Sequence, residues 1–193
     1  YINIPDSKKE SKLCPRYPRF MIVRAPSKIN LTLDVFDKNQ RTDGYHNLDS
    51  LVMMLDEPAD ELHIELEPSP HQTSIHLTCS HPTIPVDRRN LVYRAVELYL
   101  KHIGKTYQVK IGLKKTVPTE AGLGGGSSDA AAVLRGLSDY FQSSIQPSEL
   151  IRLASLLGAD VPLFLAEQPA RMRGFGDIIE PLDFIFPSIW GVI

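Results

Sequence analysis

Cysteine is scarce: Cys14 and Cys79 are the only two in 193 residues. That is too few for a disulfide framework, so a reduced compartment is the simpler reading, with a single bridge as the alternative. Charge of one sign is missing too. Lys plus Arg total 21 and Asp plus Glu 23, a formal net charge of −2. Such a balance argues against a protein that coats nucleic acid. No apolar run approaches the roughly 18–20 residues needed to span a bilayer. The N-terminus shows no signal-peptide hydrophobic segment. Neither nucleic acid nor membrane is therefore expected as a partner. The six histidines show no His-x-x-x-His spacing on a predicted helix, and no Gly-x-Ser-x-Gly elbow occurs. Metal-hydrolase and serine-hydrolase readings lose their usual signatures. The chain begins at Tyr1, not Met, and ends on the apolar stretch Pro187–Ile193. The expectation is a fragment of a longer protein.

Hydrophobic residues make up 42% of the chain and charged residues 23%, enough for a sizeable core. Residues 1–19 read as a solvated tail. Phe20–Val23 and Ile29–Phe36 read as strands, the second alternating apolar and polar. Arg41–Gly44 is a turn cluster, and Leu48–Leu55 is a further apolar stretch. Glu61–Glu67 and Ser74–Thr78 alternate and read as neighbouring antiparallel strands. Leu91, Ala95, Leu98 and Tyr99 recur at helical spacing, with Asn90 as N-cap. Tyr107–Leu113 alternates again. Ser127 is expected to begin an Ala-rich helix to about Phe141, and Pro147 another to about Leu157, ended by Gly158. Strands first, then strand, loop and helix, predict an α+β fold and not a doubly wound sheet.

The strongest local signal is Pro118-Thr119-Glu120-Ala121-Gly122-Leu123-Gly124-Gly125-Gly126-Ser127-Ser128-Asp129. Four glycines in five positions clear side chains away, so backbone N–H groups can approach a ligand closely. A helix start follows, with unpaired donors and partial positive charge suited to phosphate. No Gly-Lys-Ser/Thr is present, so this is not Walker A. The spacing is wrong for a dinucleotide fingerprint, and no βαβ unit is expected around it. Residue by residue, phosphate binding stands beside the plainer alternative of a flexible loop capped by Ser127 or Ser128.

Three more motifs share the chain with this loop: Ala25-Pro26-Ser27-Lys28-Ile29-Asn30-Leu31, Asp43-Gly44-Tyr45-His46-Asn47-Leu48 and Leu157-Gly158-Ala159-Asp160-Val161-Pro162-Leu163-Phe164. In this order they resemble the GHMP kinase superfamily over about residues 20–185. Asp-Gly-Tyr-His and Gly-Ala-Asp-Val-Pro resemble those members that act on a cytidine diphosphate-linked methylerythritol in the non-mevalonate isoprenoid pathway. The resemblance implies an N-terminal domain of the ribosomal protein S5 domain 2-like fold, with the C-terminal GHMP domain largely missing. It implies a tail at 1–19, an ATP- and substrate-binding domain at 20–165, and the start of the second domain at 166–193.

The same resemblance implies the chemistry: ATP-dependent phosphorylation of the substrate's 2-hydroxyl, with ATP as co-substrate and Mg²⁺. Asp160 matches the catalytic aspartate, which would orient the hydroxyl and accept its proton. Lys28 matches the catalytic lysine, which would keep that aspartate ionised and counter charge on the transferred group. Asn30 is a candidate substrate contact, two residues along one strand face. Tyr45 and His46 match the pair that reads the cytosine base. Pro118, Gly122, Leu123, Gly124, Gly125, Gly126, Ser127 and Ser128 would cradle ATP, and Ser128 is also the candidate Mg²⁺ ligand. Asp129 would cap or orient the loop. Lys114 and Lys115 either reach the nucleotide or form a solvated pair.

Departures from the pattern are Ser27 in place of the commoner Ala, Val52 where some members place an aromatic ring, and the basic Arg171 and Arg173. The second glycine-rich loop of the superfamily's C-terminal part does not occur here. Alternatives are another GHMP kinase, of homoserine or mevalonate type, and a non-catalytic nucleotide-binding fragment. A cytoplasmic location is expected, with a plastid as the alternative for a plant or algal source.

Overall fold

The computed structural model describes residues 19–36, 46–142, 145–166, 168–174, 176 and 178–183. Its frame is one long antiparallel hairpin. Strand β1 (Arg19–Val35) pairs with β2 (Leu48–Pro68) from Arg19↔Leu66 to Val35↔Leu48. The two strands expected in the first arm are fused into one, as are the apolar stretch Leu48–Leu55 and the expected strand Glu61–Glu67 in the second. In β1 the junction is Pro26, which has no N–H to give a ladder. β1 lies at the sheet edge, paired with β2 alone, and an edge tolerates that loss. The register shifts between Pro26 and Ser27 and again between Asn30 and Thr32. These bulges re-aim side chains next to the site described below.

On its other edge β2 serves two partners. Strand β3 (Ser74–Cys79) pairs with β4 (Tyr107–Lys114), and β4 pairs with Glu61–Pro68 of β2. Strand β5 (Ala170–Gly174) pairs with Leu48–Val52 and carries β6 (Ile178–Pro181) outside it. Among the described residues the sheet has six strands, ordered β3-β4-β2-β5-β6 with β1 along β2. Two expectations are corrected. β3 does not neighbour β2, because β4 lies between them, and β3 runs parallel to β4. A parallel pair needs a crossover, and helix α1 (Leu91–His102) supplies it, so a strand–helix–strand unit does precede the glycine loop. The alternation of Glu61–Glu67 and Ser74–Thr78 shows that each has one buried face. It carries nothing about which strand lies beside which.

Asn90 caps α1 as expected: its Oδ1 accepts from the Val92 N–H at 2.9 Å. Helices α2 (Gly125–Tyr140), α3 (Pro147–Ser155) and α4 (Val161–Ala166) complete the helical layer. The inward rows Leu62, Ile64, Leu66 of β2 and Val109, Ile111, Leu113 of β4 meet Val92, Ala95 and Tyr99 of α1. They also meet Ala130, Val133, Leu134 and Leu137 of α2. Removing each such side chain from water contributes about 1.5–3 kcal/mol. Gly136 lets α2 lie close on β1, since a Cβ there would fall 2.7 Å from Val23 Cγ1. A smaller cluster joins Val52, Leu163, Ala170 and Met172. Val52 is fully buried in it, which explains its apolar identity.

Candidate active site

Strand β4 delivers the chain to the glycine loop, and the loop ends in α2. The helix begins at Gly125, two residues before the expected Ser127. The residue before it is Gly124 at φ 71°, with no side-chain cap. Neither serine caps the helix, so the plainer alternative loses its structural basis. Gly124 is required twice over. Its φ is left-handed, and a Cβ there would lie 2.6 Å from Phe164 Cζ and 3.2 Å from Lys28 Cγ. The first bond of the helix runs from Ser128 N–H to Gly124 O at 2.9 Å. The amides of Gly125, Gly126 and Ser127 therefore precede the intrahelical ladder, and no acidic residue occupies the first turn. This arrangement suits an anion.

A cavity of about 380 Å³ opens over the loop. Pro118, Gly122, Leu123, Gly124, Gly125, Gly126 and Ser127 all line it, with Ile84, Pro85, Arg89, Asn90, Lys115 and Asp129. Ser128 does not. It is buried beneath the loop, and its Oγ finds no hydrogen-bond partner among the described residues. That hydroxyl is closed off from the cavity, beneath the loop amides. Among the described residues, no three His, Cys, Asp or Glu side chains gather as a metal site.

Lys28 adjoins this loop. Its backbone N–H donates to Leu123 O at 3.0 Å. Its side chain is buried, and Nζ donates to Asn30 Oδ1 at 2.5 Å. Burial lowers the Lys28 pKa, while the charge of Asp160 works to raise it. Asp160 lies in the turn leading into α4, near enough for its charge to act on Lys28. Both ends of the Asn30 amide are engaged: Oδ1 accepts from Lys28, and Nδ2 donates to Ser50 Oγ at 2.6 Å. The neighbouring Ser27 is fully buried, with its Oγ unpartnered among the described residues.

His46 is exposed at the far end of the hairpin, with Nδ1 3.0 Å from Phe36 O. Tyr45 and the turn Arg41–Gly44 lie outside the described residues, as does Cys14. Arg171 pairs with Asp49 at 2.5 Å, and Arg173 pairs with Glu180, so both basic departures are accounted for by strand neighbours. Cys79 packs partly buried against the main core.

Sequence reasoning missed one residue of the site, Asp60, and left Lys115 open between the nucleotide and a solvated pair. Lys114 is exposed, but Lys115 is not half of a solvated pair: its side chain is 6% exposed. Its ammonium contacts Asp60 Oδ2 and lies 2.8 Å from Asp129 Oδ2. Asp60 Oδ1 also accepts from Thr116 N at 2.5 Å and Val117 N at 2.8 Å. Asp129 therefore orients the loop through an ion pair and not as a helix cap. Burial pushes its carboxyl up to about 7, with Asp60 adding to the rise and Lys115 opposing it. Burial also works against the Lys115 charge, but Asp129 and Asp60 outweigh it and its pKa is raised. A signal for Asp60 and Lys115 did exist. Stepping the inward rows back from Leu62 and on from Leu113 by one period of two lands on these residues.

The family described as "GHMP kinases N terminal domain" matches residues 90–168, which run from the cap of α1 through the loop to α4. By fold and by sequence the chain is similar to the GHMP kinases. Within them it is similar to proteins named 4-diphosphocytidyl-2-C-methyl-D-erythritol kinase. One, from Desulfotalea psychrophila, is 43% identical over 164 residues, 83% of this chain and 53% of the relative. Another, from Citrifermentans bemidjiense, is 39% identical over 88% of this chain and 58% of the relative. The chain thus spans about half the length of the curated relatives it matches. A crystal structure of 4-(cytidine 5'-diphospho)-2C-methyl-D-erythritol kinase superimposes with TM-score 0.69 at 42% identity, covering 84% of this chain and 55% of that one. A homoserine kinase from Cytophaga hutchinsonii shares the fold at TM-score 0.64 and 19% identity, covering 87% of this chain and 52% of that one.

Proposed function

We propose that this chain carries the ATP loop and the catalytic pair of an enzyme that phosphorylates the 2-hydroxyl of 4-diphosphocytidyl-2-C-methyl-D-erythritol. One observation carries the reading: Lys28 is hydrogen-bonded to the glycine loop through its backbone, and Gly124 of that loop lies against both Lys28 and Phe164, on the helix that begins directly after Asp160. Phosphoryl transfer asks the protein for little besides position and charge. The loop amides and the helix start hold the polyphosphate. Asp160 orients the substrate hydroxyl and takes its proton. Lys28 offsets charge growing on the transferred group. Mg²⁺, when bound, neutralises the phosphates. Tyr45 and His46 recognise the cytidine end.

The test is calorimetric titration of this chain with CDP, with UDP as control, and separately with ATP and Mg²⁺. A preference for CDP that is lost in Tyr45→Ala or His46→Ala, together with ATP binding, supports the reading. Equal affinity for CDP and UDP counts against the cytidine-linked substrate and leaves the homoserine or mevalonate type of kinase. A chain that binds CDP and ATP but releases no ADP with the full substrate is a nucleotide-binding fragment.

A further inference from the structure

Ser50 stands on β2 with no exposed surface. Its Oγ donates to Thr32 O at 2.6 Å and accepts from Asn30 Nδ2 at 2.6 Å. Asn30 Oδ1 then accepts from Lys28 Nζ at 2.5 Å. The order of donors is forced. A hydroxyl has one proton, and the Thr32 carbonyl takes it, leaving only lone pairs for Asn30. Asn30 must therefore turn its NH₂ toward Ser50 and its carbonyl toward Lys28. With the amide reversed, two donors would face the ammonium and two acceptors would face each other. Thr32 strengthens the frame, since its Oγ1 accepts from Leu51 N at 3.0 Å, beside Ser50.

The geometry points to Ser50 as a positioning residue for Lys28, acting through the amide of Asn30. This rests on the proposed role of Lys28. A neutral acceptor fixes the ammonium in direction without cancelling its charge, so Asp160 remains the carboxylate that acts on it. A lysine held this way gives up rotamer freedom before substrate arrives instead of during the reaction. Asn30 thereby gains a second task beside its expected contact with substrate.

The experiment is a double-mutant cycle read at Lys28 itself, by a pH titration of its side-chain NMR signal in the ligand-free chain. Asp160 is present throughout, so its influence on Lys28 is common to every arm. Ser50→Ala frees the Asn30 amide to turn, and the ammonium loses a fixed acceptor. Its midpoint is expected to fall by about one pH unit. In the Asn30→Ala background the same substitution is expected to leave the midpoint where Asn30→Ala alone puts it. Ser50→Thr, which keeps the hydroxyl, restores the wild-type midpoint in the Asn30 background. An equal shift with and without Asn30, or no shift at all, overturns the proposal. If Ser50→Ala fails to fold, Ser50→Cys carries the same cycle, because it is close in size and a far weaker partner. The readout uses no nucleotide, so failure to bind CDP or ATP would refute the kinase reading while leaving this result intact.

Discussion

The backbone N–H of Lys28 donates to the carbonyl of Leu123 at 3.0 Å, so the strand that carries the lysine also pins the glycine loop. Gly124, the next residue, is wedged between Lys28 Cγ and the Phe164 ring. Phe164 is on α4, which begins directly after Asp160. The loop thus lies against both Lys28 and the helix that follows Asp160, although 132 positions separate the two residues in sequence.

This wedge makes Gly124→Ala a sensitive probe. The new methyl meets Phe164 Cζ at 2.6 Å and must also hold φ 71°. The left-handed conformation and the overlap together are expected to cost about 2–4 kcal/mol in chemical denaturation. Gly124→Ala combined with Phe164→Leu should recover the steric share and not the backbone share. Full recovery would mean the φ contributes nothing.

Asp160→Asn is expected to leave the melting temperature near wild type, because Asp160 is only half-buried and outside the core. Transfer to the alcohol should fall by on the order of 10²–10⁴-fold, the usual contribution of a positioned base. ADP release in a form of the enzyme that turns over measures it. Near-normal turnover would remove Asp160 from the mechanism.

Gly136→Ala sets two effects against each other. Helix propensity favours Ala by about 1 kcal/mol. Packing opposes it, since the Cβ would sit 2.7 Å from Val23 Cγ1, a stiff β-branched neighbour. The steric term is expected to win, and the variant to melt lower. In a Val23→Ala background the sign should reverse, with Gly136→Ala now raising the melting temperature.

Much of this was legible before the fold. The rows at Leu62–Leu66 and Val109–Leu113, the Asn90 cap and the loop-then-helix order follow from short-range periodicity and cap chemistry, which act within a few residues. Strand order did not, because alternation reports a buried face and is silent on partners. Sequence proximity alone therefore puts β3 beside β2, where the fold inserts β4. Pro26 and the Asp56–Ala59 stretch lie between the expected segments, yet β1 and β2 pass through them: Pro26 is on the edge strand, and the register shift skips Asp56–Pro58 of β2. Asp60 escapes notice because a carboxylate inside an apolar row reads as the end of that row. What keeps it there is Lys115, 55 positions away. A long-range charge pair leaves no local trace.

The cluster around Lys115 makes its own prediction. Two buried carboxylates share one ammonium, so with all three ionised the group carries an excess negative charge. Asp60 is the better satisfied, with two amide donors and Lys115, while Asp129 Oδ1 has no partner among the described residues. Asp129 is therefore the group that holds a proton, with its carboxyl raised to about 7 from 3.8. The folded state binds that proton across a range where the unfolded chain has released it. Linkage then makes this contribution to stability fall as pH rises from about 4 to about 7, with the full penalty present above that window. Asp129→Asn removes the titrating group and leaves Lys115 balanced against Asp60 alone. Relative to wild type, the variant should gain stability between about pH 5 and pH 8 in urea melts. A difference that stays flat over that interval would show that Asp129 remains ionised in the fold. Asp60→Ala behaves differently. It strips the acceptor from two backbone amides and leaves the cluster balanced in charge but unanchored, at an expected cost of about 3–5 kcal/mol near pH 5 that shrinks as pH rises toward 7, where the wild type loses its own contribution.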